Sequence, residues 1–131
     1  MRVLFVEDNQ MNRRVIAEML RAGGVEMDEA EDGPSGLAMI DANDAYDLVL
    51  MDPRMPGMDG LTAIREIRTR TDAKAQVPVI VVTADSGATL EADCQAAGAD
   101  DVLRKPVDLS TLFTTIGDLI ARRGDEGLVL S

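Results

Sequence analysis

Asp47-Leu48-Val49-Leu50-Met51-Asp52, followed by Pro53-Arg54-Met55-Pro56-Gly57-Met58-Asp59-Gly60, is the stretch on which the fold turns. The apolar run Leu48 to Met51 leads without a polar break into the carboxylate of Asp52. A strand apolar on both faces belongs in the middle of a covered parallel sheet. Pro53 has no N–H and disfavours helical backbone at Asp52, so the chain leaves the sheet there. Asp52 is thereby placed at the carboxyl edge of a buried strand, where open α/β sheets hold their ligands. A lone aspartate in that position can equally cap a turn, so the other strand ends must decide.

Upstream, Val3-Leu4-Phe5-Val6 is a second short apolar run, and it ends at Glu7-Asp8. Asn9 is an N-cap for a helix that carries Met11, Val15, Ile16, Met19 and Leu20 on its inward face, and Gly23-Gly24 stop it. Val25 to Ala30 begins by alternating apolar and polar residues, as an edge strand does, and Gly33-Pro34 opens a helix with Leu37 and Ile40 inward. Downstream of Gly60, Leu61, Ile64 and Ile67 fall at helical spacing, and a polar connection follows. The β-branched run Val77 to Val82 tolerates Pro78 near its start and ends at Thr83-Ala84-Asp85. A helix with a thin apolar face runs through Leu90 and Cys94 to Ala97. Val102-Leu103 is a short strand that ends at Lys105-Pro106. Asp108 caps a last helix with Leu109, Leu112, Phe113, Ile116, Leu119 and Ile120 inward. The expected division is one domain over residues 1–123 and a flexible C-terminal tail over 124–131.

Strands and helices alternate five times. That pattern predicts an α/β fold: a doubly wound, five-stranded parallel sheet of order 2-1-3-4-5, flavodoxin-like, with right-handed crossovers. Its switch point lies between the strands that end in Glu7-Asp8 and in Asp52.

Composition narrows the function. The 131 residues suit one domain, and 46% hydrophobic content is enough for a core. Aromatics are only 2%, so a stacked base or flat cofactor lacks its usual platform. A net charge of −11 repels nucleic-acid backbones and anionic lipid, so neither nucleic acid nor membrane is an expected partner. Cys94 is the only cysteine, which points to a reducing, cytoplasmic setting. No signal peptide and no run of membrane-spanning length is seen. There is no histidine, which rules out a Ser/His/Asp triad and a His-based metal cluster within this chain.

At the strand ends Glu7, Asp8 and Asp52 supply carboxylates, Thr83 a hydroxyl and Lys105 a cation. Clustered carboxylates repel, and Mg²⁺ suits a site of few carboxylates plus water, with the Arg54 carbonyl as a further oxygen ligand. Solvated acidic loops alone would not put Asp, Thr and Lys all at strand carboxyl ends. Lys105 is informative, because a structural metal site needs no cation beside it whereas a phosphoryl group does. Asp52 is then the nucleophile that forms an acyl phosphate.

The segments LFVEDNQMNR, DLVLMDPRMPGMDG, VIVVTA and VLRKP, in this order and spacing, resemble the receiver domain of two-component response regulators and hybrid histidine kinases. The resemblance spans about Arg2 to Ala121. It implies transfer of a phosphoryl group from a partner's phosphohistidine to Asp52. It also implies Mg²⁺ held directly by Asp8, Asp52 and the Arg54 carbonyl, with Glu7 through water, and Thr83 and Lys105 on the phosphoryl oxygens. A cis Lys105–Pro106 bond is implied too. Such a domain is a phosphoacceptor that catalyses only its own phosphorylation and dephosphorylation. Its partner is a histidine kinase or histidine phosphotransferase, expected to touch the Met11/Val15 end of the first helix. The EDNQMNR stretch is nearer to hybrid-kinase and relay receivers than to DNA-binding regulators.

Two departures stand out. Val102 occupies a position where many receivers carry Tyr or Phe, so a ring-based relay is lost. Pro53 replaces an aliphatic residue and leaves Arg54 as the backbone donor. Three other classes fit the sequence less well. A haloacid-dehalogenase-like phosphatase needs a second Asp where Arg54 stands. A flavodoxin-like electron carrier lacks its aromatics. A degenerate receiver acting only as a docking module is the bland alternative.

Overall fold

The computed structural model describes residues 1–43, 46–85 and 87–130, with side chains through Arg122. The elements are β1 (Arg2–Val6), α1 (Gln10–Ala22), β2 (Glu26–Ala30), α2 (Gly33–Ala42), β3 (Leu48–Met51), α3 (Gly60–Arg68), a 3-10 turn (Ala73–Gln76), β4 (Val79–Thr83), α4 (Leu90–Ala97), β5 (Asp101–Arg104) and α5 (Leu109–Leu130). The five strands form one sheet in the order β2-β1-β3-β4-β5, with every pairing parallel. This is the topology that the alternation predicts. Along the expected tail over 124–131 the backbone continues α5 as far as Leu130, and its side chains are not among those described.

Alternation along the strands splits the core in two. Val3, Phe5, Leu48, Leu50, Ile80 and Val82 face Ile16 and Leu20 of α1 and Leu112, Ile116 and Leu119 of α5. Leu4, Val6, Val49, Met51, Val79 and Val81 face Ile40 of α2, Ile64 and Ile67 of α3, and Leu90 and Cys94 of α4. The central strands β3 and β4 are buried throughout, whereas β2 at the edge is mostly half-exposed or exposed.

Helix starts are fixed by side chains. Asn9, Asp32, Asp59 and Asp108 accept from the backbone N–H of Asn12, Ser35, Thr62 and Thr111. Each such cap stabilises its helix by about 1 kcal/mol. The end of α3 has another role. Arg68 donates to the carbonyls of Ala75, Val77 and Gly98 and pairs with Asp100, tying the turn before β4 and the end of α4 together.

Three apolar side chains expected inside are not. Met11, Val15 and Leu109 are 64%, 47% and 47% exposed. Val15 is rotated by about 100° from the buried Ile16, beyond the stripe that meets the sheet. Met11 and Leu109 sit in the first turns of α1 and α5, which begin past the carboxyl ends of β1 and β5.

Gly60 explains the last residue of the decisive stretch. A Cβ there would collide with the carbonyl oxygen of Asp52. Its N–H donates to the Pro53 carbonyl at 3.1 Å, which folds the loop back onto α3. We expect Gly60→Ala to cost about 1–3 kcal/mol in urea unfolding. Gly117→Ala, in α5 with open space around the added carbon, should be neutral or stabilise by up to about 1 kcal/mol.

Candidate functional site

Glu7 and Asp8 follow β1, Asp52 follows β3, Thr83 ends β4 and Lys105 follows β5. The parallel register sets Val6 against Met51 and Met51 against Val81, so these ends lie side by side. Each of Glu7, Asp8 and Asp52 offers a carboxylate oxygen within 4.8 Å of the other two. Lys105 Nζ lies 3.2 Å from Glu7 Oε2 and 3.7 Å from Asp52 Oδ2. Glu7, Asp52 and Thr83 are buried, while Asp8 is exposed and opens the cluster to solvent. The Lys105–Pro106 bond is cis, as the resemblance implies.

The bonds around these groups hold their orientation. Arg54 N–H donates to Asp52 Oδ1 at 2.9 Å, the donation that Pro53 cannot make. Asn12 Nδ2 donates to Glu7 Oε1 at 2.8 Å, and Arg13 Nη1 to the Glu7 carbonyl at 2.7 Å. Thr83 Oγ1 accepts the Asp85 N–H at 2.9 Å. The Asp85 carboxylate is held by the Arg54 guanidinium and by the N–H of Gly87.

Asn12, Arg13 and Asp85 were not singled out from sequence as site residues. Asn12 and Arg13 sit on the turn of α1 that faces the end of β1, and only the packing of the two elements brings them to Glu7. The sequence signal for Asp85 was its place two residues past a strand end, close to the kind of position that found Asp52.

Burial and contact with Glu7 push the Asp52 carboxyl up to about 7. Burial acts on Glu7 in the same direction, but hydrogen bonds from Asp52 and Asn12 and the charge of Lys105 outweigh it and lower its pKa. The two acids thus share a proton, held mainly on Asp52. A divalent cation can replace that proton. Three carboxylates open to water on one side are a hard-oxygen donor set suited to Mg²⁺.

Comparison with known proteins bears on this geometry. Residues 3–117 match the response regulator receiver domain family. The chain belongs to that family. As a receiver domain it works in two-component phosphorelay signalling, and the phosphatase and docking-module readings are not favoured.

A two-component response regulator of rice, ORR41, is 44% identical over 85% of this receiver and 87% of its own length. The response regulator PleD of Caulobacter vibrioides is 37% identical over 90% of the chain, which spans 26% of that protein. The sensor histidine kinase RcsC of Salmonella typhimurium is 37% identical over 88% of the chain and 12% of its own length. Among solved structures, the receiver domain of the Pseudomonas aeruginosa sensor histidine kinase PA1611 superposes with a TM-score of 0.83 at 35% identity. The match covers 92% of this chain and 97% of that one. That structure has a magnesium ion coordinated in its active-site cleft. Among the described residues, no helix is long and apolar enough to cross a membrane.

The raised Asp52 fixes a pH dependence for the Mg²⁺-free protein. Between the ordinary value of 3.8 and about 7 the folded state holds a proton that the unfolded state has released. Stability therefore falls as pH rises through that window and levels off above it. Thermal unfolding in EDTA should show this slope. Asp52→Asn should flatten it and unfold at higher temperature than the wild type above pH 7.

Proposed function

We propose that Asp52 is the phosphoacceptor of this receiver, in a Mg²⁺-dependent reaction with a phosphohistidine of a histidine kinase or histidine phosphotransferase. The observation that carries this reading is the convergence of Asp52, Glu7, Asp8 and Lys105 on one cluster, with Thr83 at the neighbouring strand end. A carboxylate oxygen of Asp52 attacks phosphorus. An O–P bond forms, the P–N bond of the donor breaks, and its electron pair stays on the imidazole nitrogen.

Lys105, now between Glu7 and Asp52, turns to the phosphoryl oxygens and offsets their charge. The Thr83 hydroxyl has one proton to donate, and it can give it to a phosphoryl oxygen while still accepting from Asp85. Glu7, Asp8, Asp52 and the Arg54 carbonyl are the groups that would hold Mg²⁺. When bound, the ion supplies further neutralisation of phosphoryl charge. With no histidine in the chain, the phosphodonor is another molecule or domain. On this reading the protein is a phosphoacceptor acting in the cytoplasm, and its receiver unit is residues 1–123 with a tail over 124–131.

The docking surface is proposed at the starts of α1 and α5. Met11, Val15 and Leu109 are exposed there, and among the described residues the only other exposed large apolar side chain is that of Met1. An apolar cleft of about 410 Å³, lined by Val15, Ile16, Pro106 and Val107, runs up to Lys105. A partner helix seated there would bring its histidine to the mouth of the carboxylate cluster.

Labelling with acetyl phosphate and Mg²⁺ tests the reading. The wild type should take up label, EDTA should abolish uptake, and Lys105→Ala should slow it about a hundredfold. Uptake by Asp52→Asn at the wild-type rate would overturn the acceptor assignment. No uptake by the wild type would leave a docking module.

A further inference from the structure

Val102 raises the question of how charge at Asp52 reaches α4. It is half-buried against the α4 side of the sheet, beside a narrow cleft of about 200 Å³ shared with Cys94 and Gln95. A valine there has no ring to swing inward. A different set of contacts spans the same distance, and it is polar.

Asp85 is its centre. Two residues that flank the phosphorylation site hold this one. The Arg54 guanidinium bonds its carboxylate, and the Thr83 hydroxyl accepts its N–H. Arg54 also holds Asp52 through its own backbone N–H. On the far side, the Asp85 carbonyl accepts from Arg104 Nη1, and Arg104 Nη2 reaches Glu91 Oε1 of α4 at 3.3 Å. A chain of contacts thus runs from Asp52 through Arg54 to Asp85, which Thr83 also holds, and then through Arg104 to the first turn of α4.

We propose that this chain, Asp85–Arg104–Glu91, couples phosphorylation of Asp52 to the position of α4 in place of an aromatic relay. The inference rests on the phosphoacceptor reading above. Added negative charge at Asp52 competes with Asp85 for the Arg54 guanidinium and draws the Thr83 hydroxyl. The Arg54 hold on Asp85 weakens while the Asp85 N–H follows the Thr83 oxygen, and the Asp85 carbonyl carries Arg104 with it. Arg104 then loses its reach to Glu91.

The first turn of α4 has room to respond. A cleft of about 670 Å³ lies between it and the loop after β3, lined by Arg54, Asp85, Thr89 and Leu90 among others. Thr89 at the start of α4 makes no side-chain cap to the helix backbone, unlike Asn9, Asp32 and Asp59 at the starts of α1, α2 and α3.

The experiment is amide exchange over Leu90–Ala97, with and without beryllofluoride and Mg²⁺, in the wild type, Arg104→Ala, Glu91→Ala and the double variant. Acetyl phosphate labelling is run on all four. We expect the wild type to show a change in α4 exchange of about threefold, the scale of one exposed ion pair. Arg104→Ala and Glu91→Ala should label as the wild type does and lose most of that change. The double variant should lose no more than either single one. A full α4 response in labelled Arg104→Ala and Glu91→Ala would overturn the relay, as would a wild type that labels without any α4 response. A wild type that takes no label would overturn the phosphoacceptor reading as well.

Discussion

The buried carboxylates of Glu7 and Asp52 set the terms for the rest of this molecule. They sit at the ends of adjacent central strands with one ammonium, Lys105, for two acids. Without a cation the pair keeps a proton, and the cost of ionising Asp52 appears as its raised pKa. Such a cluster lowers stability rather than adding to it. The aliphatic layers on both faces of the sheet and the capped helices supply what the site gives up. The polar groups around the cluster are accounted for: among the described residues no buried side-chain polar atom lacks a partner.

The same constraint separates the firm parts of the fold from those that can yield. The starts of α1, α2, α3 and α5 are each fixed by an Asn or Asp side chain, and α1 also sends Asn12 and Arg13 to Glu7. These elements hold the acids where a divalent cation and a phosphoryl group need them. Helix α4 is short and lacks a side-chain cap. An element held by few contacts is where a small charge change is felt most.

How much of this was legible in the sequence follows from the kind of signal each feature gives. The sheet order was readable because β1, β3 and β4 are unbroken apolar runs and Val25 to Ala30 is not. The site was readable because a strand end is a topological position, and residues 7, 8, 52, 83 and 105 each follow or end one. Which way a helix surface turns was harder to see. Val15 neighbours Ile16 in sequence and is apolar, yet the helix rotates it into solvent. The links from Arg54 to Asp85 and from Arg104 to Glu91 left no pattern at all. Exposed charged residues at long sequence separation look alike until the loops that carry them are set side by side.

Arg68 adds a mechanical consequence. It holds the carbonyl of Gly98 at the finish of α4, the glycine whose own φ of 110° ends the helix in the left-handed region. The helix is therefore clamped through its backbone at one end, while its first turn is held by the buried Leu90 and the exposed Arg104–Glu91 contact. If the relay proposed above moves α4, that clamp makes the motion a tilt about Gly98, largest at Leu90. A binding partner that reads this lever would sense a change of angle, and would do so at the end nearest the acids.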